Sequence, residues 1–160
     1  MRFSPFPTRK PHRLDDYDYS TPGAYFVTIC TKERRPVLSH IAVGTTIGRP
    51  PEVQLSPLGH VVEDAILQIP VRYEGTVLDQ YVVMPNHVHL LLQITSPGGP
   101  KLGQIIQQLK GHVTKQWGKP VWQEKFYDHV IRDESDFLIK YQYISNNPAK
   151  WAEDEYFSES

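Results

Sequence analysis

The sequence predicts an α+β fold, a ferredoxin-like antiparallel sheet with helices on one face and a further helix at the C-terminal end. Three observations predict it. The hydrophobic patterns follow one another in the order strand, helix, strand, strand, helix, strand, helix. Residues 87–94 form a strand pattern with one uniformly apolar face, and residues 102–117 form a strongly amphipathic helix pattern.

Local signals place most of the elements. The predicted strands cover 25–31, 77–83, 87–94 and 126–131. Met84-Pro85-Asn86 separates the second strand from the third, so this pair is expected to form a hairpin. Residues 43–53 contain two glycines and two prolines, which favours a loop or an irregular hairpin.

The helices have recognisable ends. Ser56 followed by Pro57 is typical of a helix start, with serine as the N-cap and proline in the first helical position, and Pro70 is expected to end that helix. The last helix is expected to begin at Asp133 or Ser135 and to be bounded by Pro148.

Composition and charge limit the possible classes of protein. A chain of 160 residues with 39% apolar content suits one domain, which we place at 21–160, after a basic N-terminal arm of residues 1–20. No apolar stretch approaches the roughly 20 residues of a membrane span, so we expect a cytoplasmic protein. The single Cys30 excludes an intramolecular disulfide framework and a zinc site with several cysteines.

The net charge of −1 conceals a segregation of charge along the chain. Residues 1–14 carry four basic side chains and no acid, and residues 98–125 carry five lysines against one glutamate. This pattern allows a local phosphate-binding face, although composition alone is equally consistent with ordinary solvated charge.

The strand 87–94 carries the most informative polar residues. Because side chains alternate along a strand, Val88, Leu90, Leu92 and Ile94 share one face and His87 and His89 share the other. The apolar face must point into the core, so the two imidazoles project side by side from the opposite face. They are close enough to chelate one divalent ion, but two histidines do not complete a coordination sphere, and incidental histidines on a strand are common.

The last helix supplies a second group of polar residues. Phe137, Tyr141 and Ile144, with Leu138 beside them, form a stripe at helical spacing that is expected to face the core. Tyr143 lies well off that stripe, and Asn147, four residues later, lies on the same flank. A site on this flank competes with a plainer interpretation, in which Tyr143 is exposed near a helix end and Asn147 terminates the helix.

Four segments together resemble the REP-associated tyrosine transposases, which are single-tyrosine transposases with a His-hydrophobic-His block. Residues 81–92 are similar to that block, and residues 121–134 are similar to the segment before the family's catalytic helix. Residues 143–151 resemble the catalytic helix itself, and residues 15–28 resemble the start of the REP-associated branch. The four blocks occur in the family's order and are spread over most of the chain.

The resemblance implies an activity and a set of site residues. Tyr143 corresponds to the nucleophile that forms a 5′-phosphotyrosine in single-stranded DNA, and His87 and His89 correspond to the ligands of a divalent ion, Mg²⁺ or Mn²⁺. Related transposases complete the metal site with a glutamine four residues after the tyrosine. This chain has the shorter Asn147 there, either as a direct ligand or bridged by water.

The resemblance also implies partners. The expected substrate is single-stranded or hairpin DNA at palindromic repeats, and the family's fold forms a homodimer. Candidates for phosphate contacts are Lys110, Lys115, Arg9, Lys10 and Arg13. His129 is a possible helper in proton transfer, although a structural role is the plainer interpretation. Three other interpretations remain open: a domesticated hairpin-binding protein with little cleavage, a metal-dependent nuclease that uses water, and a ferredoxin-like dimer whose exposed histidines are incidental.

Overall fold

A computed structural model describes residues 23–42 and 52–153, except the side chains of the last two. Its strands are β1 (Gly23–Cys30), β2 (Ser39–Ala42), β3 (Glu52–Leu55), β4 (Thr76–Val83), β5 (His87–Ile94) and β6 (Tyr127–Val130). Its helices are α1 (Pro57–Leu67), α2 (Ile69–Arg72), α3 (Leu102–Trp117) and α4 (Glu134–Asn146). Short 3-10 helices cover Lys32–Arg34 and Pro148–Glu153. The predicted basic arm and its Arg9, Lys10 and Arg13 lie outside the described residues.

Four strands form one antiparallel sheet in the order β4-β5-β1-β6. The first and third strands of the β-α-β-β-α-β series are therefore central, which is the ferredoxin-like arrangement and confirms the predicted fold class. The pair β2 and β3 forms a separate two-stranded sheet, in agreement with the irregular hairpin expected around residues 43–53. No helix within the described ranges is long and apolar enough to cross a membrane.

One face of the sheet carries the larger core. Val88, Leu90, Leu92 and Ile94 of β5 are buried there with the inward faces of α1 and α3, as the strand pattern predicts. The hydroxyl of Ser56 accepts a hydrogen bond from the amide of Gly59 and so caps α1 as expected. Pro70 does not end this helix: α1 stops at Leu67, and Pro70 lies in the first turn of the short α2, where its missing amide proton costs no hydrogen bond.

The second face of the sheet is covered by α4, whose first turn is capped by the carboxylate of Asp133. Phe137 and Ile144 face the sheet as predicted. The expectation that Tyr141 and Leu138 are core residues is wrong, since their side chains are 38% and 54% exposed. A single helix packed over a sheet buries only a narrow stripe, and residues 137 and 144 fill it.

Candidate active site

The two histidines of β5 lie side by side on the face that α4 covers. Antiparallel pairing places His89 opposite Thr28 and His87 opposite Cys30 of β1. Their ring centroids are 4.6 Å apart, and the two side chains are 1% and 0% exposed. The alternation predicted from the sequence is confirmed, but the face is closed by α4, so the rings are buried.

Each imidazole has one ring nitrogen occupied by a neighbouring polar side chain. Nδ1 of His89 lies 3.0 Å from Oγ1 of Thr28, and Nδ1 of His87 lies 2.9 Å from Oδ1 of Asn86. An Nδ1–H group that donates to such an oxygen fixes the tautomer in which Nε2 carries the lone pair. This is the usual orientation of a histidine that binds a metal through Nε2.

Both histidines are held in the neutral state that a metal ligand requires. Burial lowers the pKa of His87 to about 4, although the Asn147 side chain opposes the shift and the charge of Arg34 adds to it. Burial also lowers the pKa of His89 well below its usual value, and the neighbouring His87 reinforces this. Near neutral pH the pair therefore presents lone pairs rather than two positive charges.

Tyr143 of α4 is placed against this pair. Its ring centroid lies 5.4 Å from that of His89, in an edge-on orientation, and 5.8 Å from that of Phe26. Phe26 in turn stacks on His89 at 4.9 Å, so the three rings form one cluster on the sheet face. The Tyr143 side chain is 41% exposed and can therefore contact both the buried imidazole and a ligand in solvent.

Asn147 lies at the end of α4 and is only 3% exposed. Its carbonyl oxygen Oδ1 and the Nε2 atom of His89 are both buried and lack a well-formed hydrogen bond within the described chain. Unsatisfied polar atoms in an interior are costly, and a shared ligand is one explanation for them. Since the described residues contain no cluster of three His, Cys, Asp or Glu side chains, an amide oxygen is the available third donor.

This donor set fits a hard or borderline divalent ion. Imidazole nitrogens suit Mn²⁺ and other transition metals, and an amide oxygen suits Mg²⁺ and Mn²⁺. The structure thus brings together Tyr143, which the sequence predicts as the nucleophile, and the three residues that it predicts as metal ligands.

Known proteins are similar to this chain over most of its length. No protein-family model matches the sequence. An uncharacterized protein of Haemophilus influenzae is 33% identical over 175 residues, which is 93% of each chain. The REP-associated tyrosine transposase of Escherichia coli K12 is 25% identical over 133 residues, which cover 82% of this chain and 70% of that protein. The chain is thus similar to a REP-associated tyrosine transposase over most of its length.

The fold of this chain also matches a solved structure. A REP-associated tyrosine transposase bound to a REP hairpin superposes with a TM-score of 0.64 and 22% identity, over 86% of this chain and 74% of that one. At this identity the match shows the shared fold alone.

The two lysines of α3 that the sequence predicts as phosphate contacts have different environments. Lys115 is exposed on α3. Lys110 is 8% exposed, and its ammonium group donates to the backbone carbonyls of Gln123 and Glu124 at 2.8 and 2.9 Å. Its charge is therefore used inside the fold to attach the segment before β6 to α3, and it is not available for a contact with a DNA phosphate.

His129 has the structural role that the sequence favoured. Its Nε2 atom lies 2.8 Å from Oδ2 of Asp136 in the first turn of α4, which fixes this helix to β6. Sequence reasoning missed Thr28, Asn86 and Phe26 as residues that orient the histidines. Only the strand register reveals Thr28 and Phe26, whereas Asn86 could have been noticed beside His87.

Proposed function

We propose that this chain is a transposase, a metal-dependent transesterase that cleaves and rejoins single-stranded DNA through Tyr143. The observation that supports the proposal is the ring of Tyr143 lying against His89, on the sheet face that also carries His87. A phenol adjacent to a pair of neutral, oriented imidazoles is the arrangement that a covalent phosphoryl-transfer site with a bound cation needs.

In this proposal His87, His89 and Asn147 hold a divalent ion, Mg²⁺ or Mn²⁺. The ion would polarise the scissile phosphate and stabilise negative charge on the departing oxygen. The support for this assignment is the donor set itself: two neutral imidazoles and the buried amide oxygen of Asn147.

The reaction balances without any other reactant. The oxygen Oη of Tyr143 loses its proton and forms a bond to the phosphorus atom, the bond from phosphorus to the 3′-oxygen breaks, and that oxygen takes up a proton. The products are a 5′-phosphotyrosine and a free 3′-hydroxyl group. One phosphodiester replaces another, so attack by a 3′-hydroxyl on the phosphotyrosine can restore a continuous strand with little energetic cost.

The proposed substrate is DNA with a hairpin at a palindromic repeat. The support for it is the similarity to a REP-associated tyrosine transposase and the fold shared with such a transposase bound to a REP hairpin. Exposed cations would contact the phosphates, and the candidates are Lys115 together with Arg9, Lys10 and Arg13 of the N-terminal arm.

We also propose a homodimer. The outward surface of α4 exposes Leu138 and Ile139 by 54% and 58%, and a second copy of the chain could cover them. Light scattering at several protein concentrations would test this, and a monomer throughout would contradict it.

The decisive experiment detects a covalent protein–DNA adduct. The transposase is mixed with labelled hairpin DNA carrying unpaired flanks and Mn²⁺, and the products are separated under denaturing conditions. Tyr143→Phe should abolish the adduct and retain DNA binding. Tyr141→Phe is the matched control, because this tyrosine lies on the same helix with similar exposure, 38% against 41%.

Three outcomes would contradict the proposal. An adduct that persists in Tyr143→Phe and disappears in Tyr141→Phe would show that Tyr141, and not Tyr143, is the nucleophile. Strand breaks without any adduct would show a nuclease that activates water. Hairpin binding without breaks would leave the chain as a binding protein.

A further inference from the structure

A cleft that the proposed chemistry does not use lies at the end of β1. Its volume is about 370 Å³, which is in the range of small-ligand sites. Thr31, directly after β1, contributes to one side of it, and Trp117 at the end of α3 contributes to another. The remaining lining residues include three basic side chains, and none is acidic: Lys32, Arg35, Val37, Ser56, Pro57, Leu58, Lys119, Pro120 and Val121.

The end of α3 creates the aromatic and basic side of this cleft. Gly118 adopts the left-handed conformation, with φ of 86°, and its amide donates to the carbonyl of Thr114. This is the usual way in which a glycine ends a helix and turns the chain. As a result Trp117 on the helix and Lys119 after the turn both line the cleft. The Trp117 side chain remains 38% exposed, so part of its indole surface is open to a ligand.

Hydrogen bonds and strand pairing link a residue of the cleft to the histidines of the candidate active site. The amide and the hydroxyl of Thr31 both donate to the carbonyl oxygen of Asn86, at 3.0 and 3.1 Å. Asn86 is also the residue whose side chain contacts His87, and Cys30, next to Thr31, pairs with His87 across the strands. The cleft and the histidines therefore lie at the same end of the sheet, so one DNA strand passing around that end could contact both.

The charges at the cleft favour an anionic ligand. Lys32 and Lys119 form no ion pair within the described residues, and Arg35 contacts Glu33 at 2.6 Å in an exposed pair. Exposed pairs of this kind contribute little and exchange readily, so Arg35 can also contact a phosphate. An exposed indole together with unpaired cations is the combination by which proteins bind unpaired nucleotides: the base stacks on the ring and the backbone follows the positive charge.

We propose that this cleft binds one unpaired nucleotide of the single-stranded DNA next to the cleaved hairpin, with its base stacked on Trp117 and its phosphates on Lys32 and Lys119. The proposal rests on the proposed function, because it assigns a second contact to the same DNA. Stacking tolerates any base, so the cleft would hold the strand in position and contribute little to sequence recognition.

The test measures binding of two DNAs in the presence of a chelator, so that cleavage plays no part. One DNA is a bare hairpin, and the other is the same hairpin with a short unpaired flank. The intact transposase should bind the flanked hairpin more tightly. Trp117→Ala should lose roughly tenfold in affinity for the flanked hairpin and leave the affinity for the bare hairpin unchanged.

Matched variants separate stacking and charge from damage to the fold. Trp117→Phe retains an aromatic face and should recover most of the affinity. Lys119→Gln should weaken binding of the flanked hairpin and reduce its salt dependence. Lys101→Gln removes the same charge from the other end of α3, where the side chain is exposed, and should have a smaller effect.

The position of the base can be tested directly with a photoreactive 5-iododeoxyuridine in the flank, whose cross-link should map to Trp117. A cross-link elsewhere, or equal losses for both DNAs in Trp117→Ala, would overturn the proposal. Neither result affects the covalent adduct on Tyr143. Conversely, the intact protein could form no adduct while Trp117→Ala still loses affinity for the flanked hairpin. That combination would support the cleft as a nucleotide-binding site and reject the proposed cleavage.

Discussion

The ring of Tyr143 lies 5.4 Å from that of His89, centroid to centroid, although one residue is on the last helix and the other on a central strand. This contact exists because α4 packs across the face of the sheet from which the histidines project. The contact also requires no second chain, since both residues belong to the same copy. A single copy therefore has the three predicted groups of the site, namely phenol, imidazole pair and amide, in one place.

Replacing either histidine should remove cleavage and leave hairpin binding. His87→Ala or His89→Ala deletes a nitrogen donor from the proposed metal site, so cleavage should fall by about 100-fold or more. His60→Ala, which removes an exposed histidine on α1, is the control. The measurement is the rate of strand cleavage with Mn²⁺ and with excess chelator. Undiminished cleavage by the intact protein in chelator would contradict the metal assignment.

Two substitutions distinguish direct binding of the metal ion by Asn147 from binding through a bridging water molecule. If its carbonyl oxygen is a direct ligand, Asn147→Ala should weaken Mn²⁺ binding by roughly tenfold or more, since one donor is lost. Asn147→Asp provides a charged oxygen at the same position and should strengthen it. Calorimetric titration with Mn²⁺ measures both. Equal affinities for the three proteins would show that Asn147 is not a ligand.

Thr28 should influence the metal site without touching the ion. Thr28→Val has nearly the same shape but removes the hydroxyl that lies 3.0 Å from Nδ1 of His89. The ring then loses the group that fixes its orientation, and Mn²⁺ affinity should decrease by about 10-fold to 100-fold. Thr28→Ser retains the hydroxyl and should behave almost as the original protein. If both variants bind Mn²⁺ equally well, the hydroxyl does not orient the ring.

Much of this arrangement could be predicted from the sequence because it depends on local periodicity. Alternation along residues 87–94 separates His87 and His89 from the apolar face, and the structure confirms the separation. Helical spacing also separates Tyr143 from the buried Ile144. The buried state of the histidines was not predictable, since it depends on where α4 packs.

The errors in the prediction also have a physical cause. Tyr141 has the correct spacing for a core residue, but the sheet surface under α4 is too narrow to bury it. Lys110 has the appearance of a surface cation, yet its Nζ reaches two carbonyl groups that only the fold brings close. Contacts between residues distant in sequence, such as Thr28 with His89, require the strand register.

The attachment of α4 should depend on the charge of Asp136. Burial alone would raise the pKa of this carboxyl, but hydrogen bonds from His129 and the amide of Arg132, with the nearby charges of His129 and Lys140, lower it below its usual 3.8. A carboxyl with a lowered pKa in the folded state stabilises the protein above its unfolded pKa, and this stabilisation is lost as the pH falls through the folded pKa.

Asp136→Asn should therefore reduce the free energy of unfolding by about 1.5–3 kcal/mol at pH 7, because hydrogen bonds to a charged group are lost. The difference from the original protein should shrink below pH 3.8, where the carboxyl of the unfolded chain is itself protonated. Urea unfolding at several pH values measures this. Glu134→Gln removes an exposed carboxylate from the same helical turn and should cost less. A constant difference across the pH range would refute the role of the charge.

Two glycines in helices should respond to alanine in opposite directions. A Cβ atom on Gly59 of α1 would collide with the backbone carbonyl oxygen of Leu38, which cannot move freely because it also accepts the amide of Ser56. Gly59→Ala should therefore destabilise the fold by about 2 kcal/mol or more.

Gly111 of α3 has nothing within 4 Å of the same position, so Gly111→Ala should stabilise the protein by about 0.5–1 kcal/mol through its better helix propensity. Thermal or urea unfolding distinguishes the two effects. If both substitutions stabilise the protein, α1 does not approach the chain before β2 closely enough to exclude a Cβ atom. The amide of Leu38 also donates to the carbonyl oxygen of Pro85, in the turn before His87. A tolerated Gly59→Ala would therefore also argue against this segment as a support for the histidines.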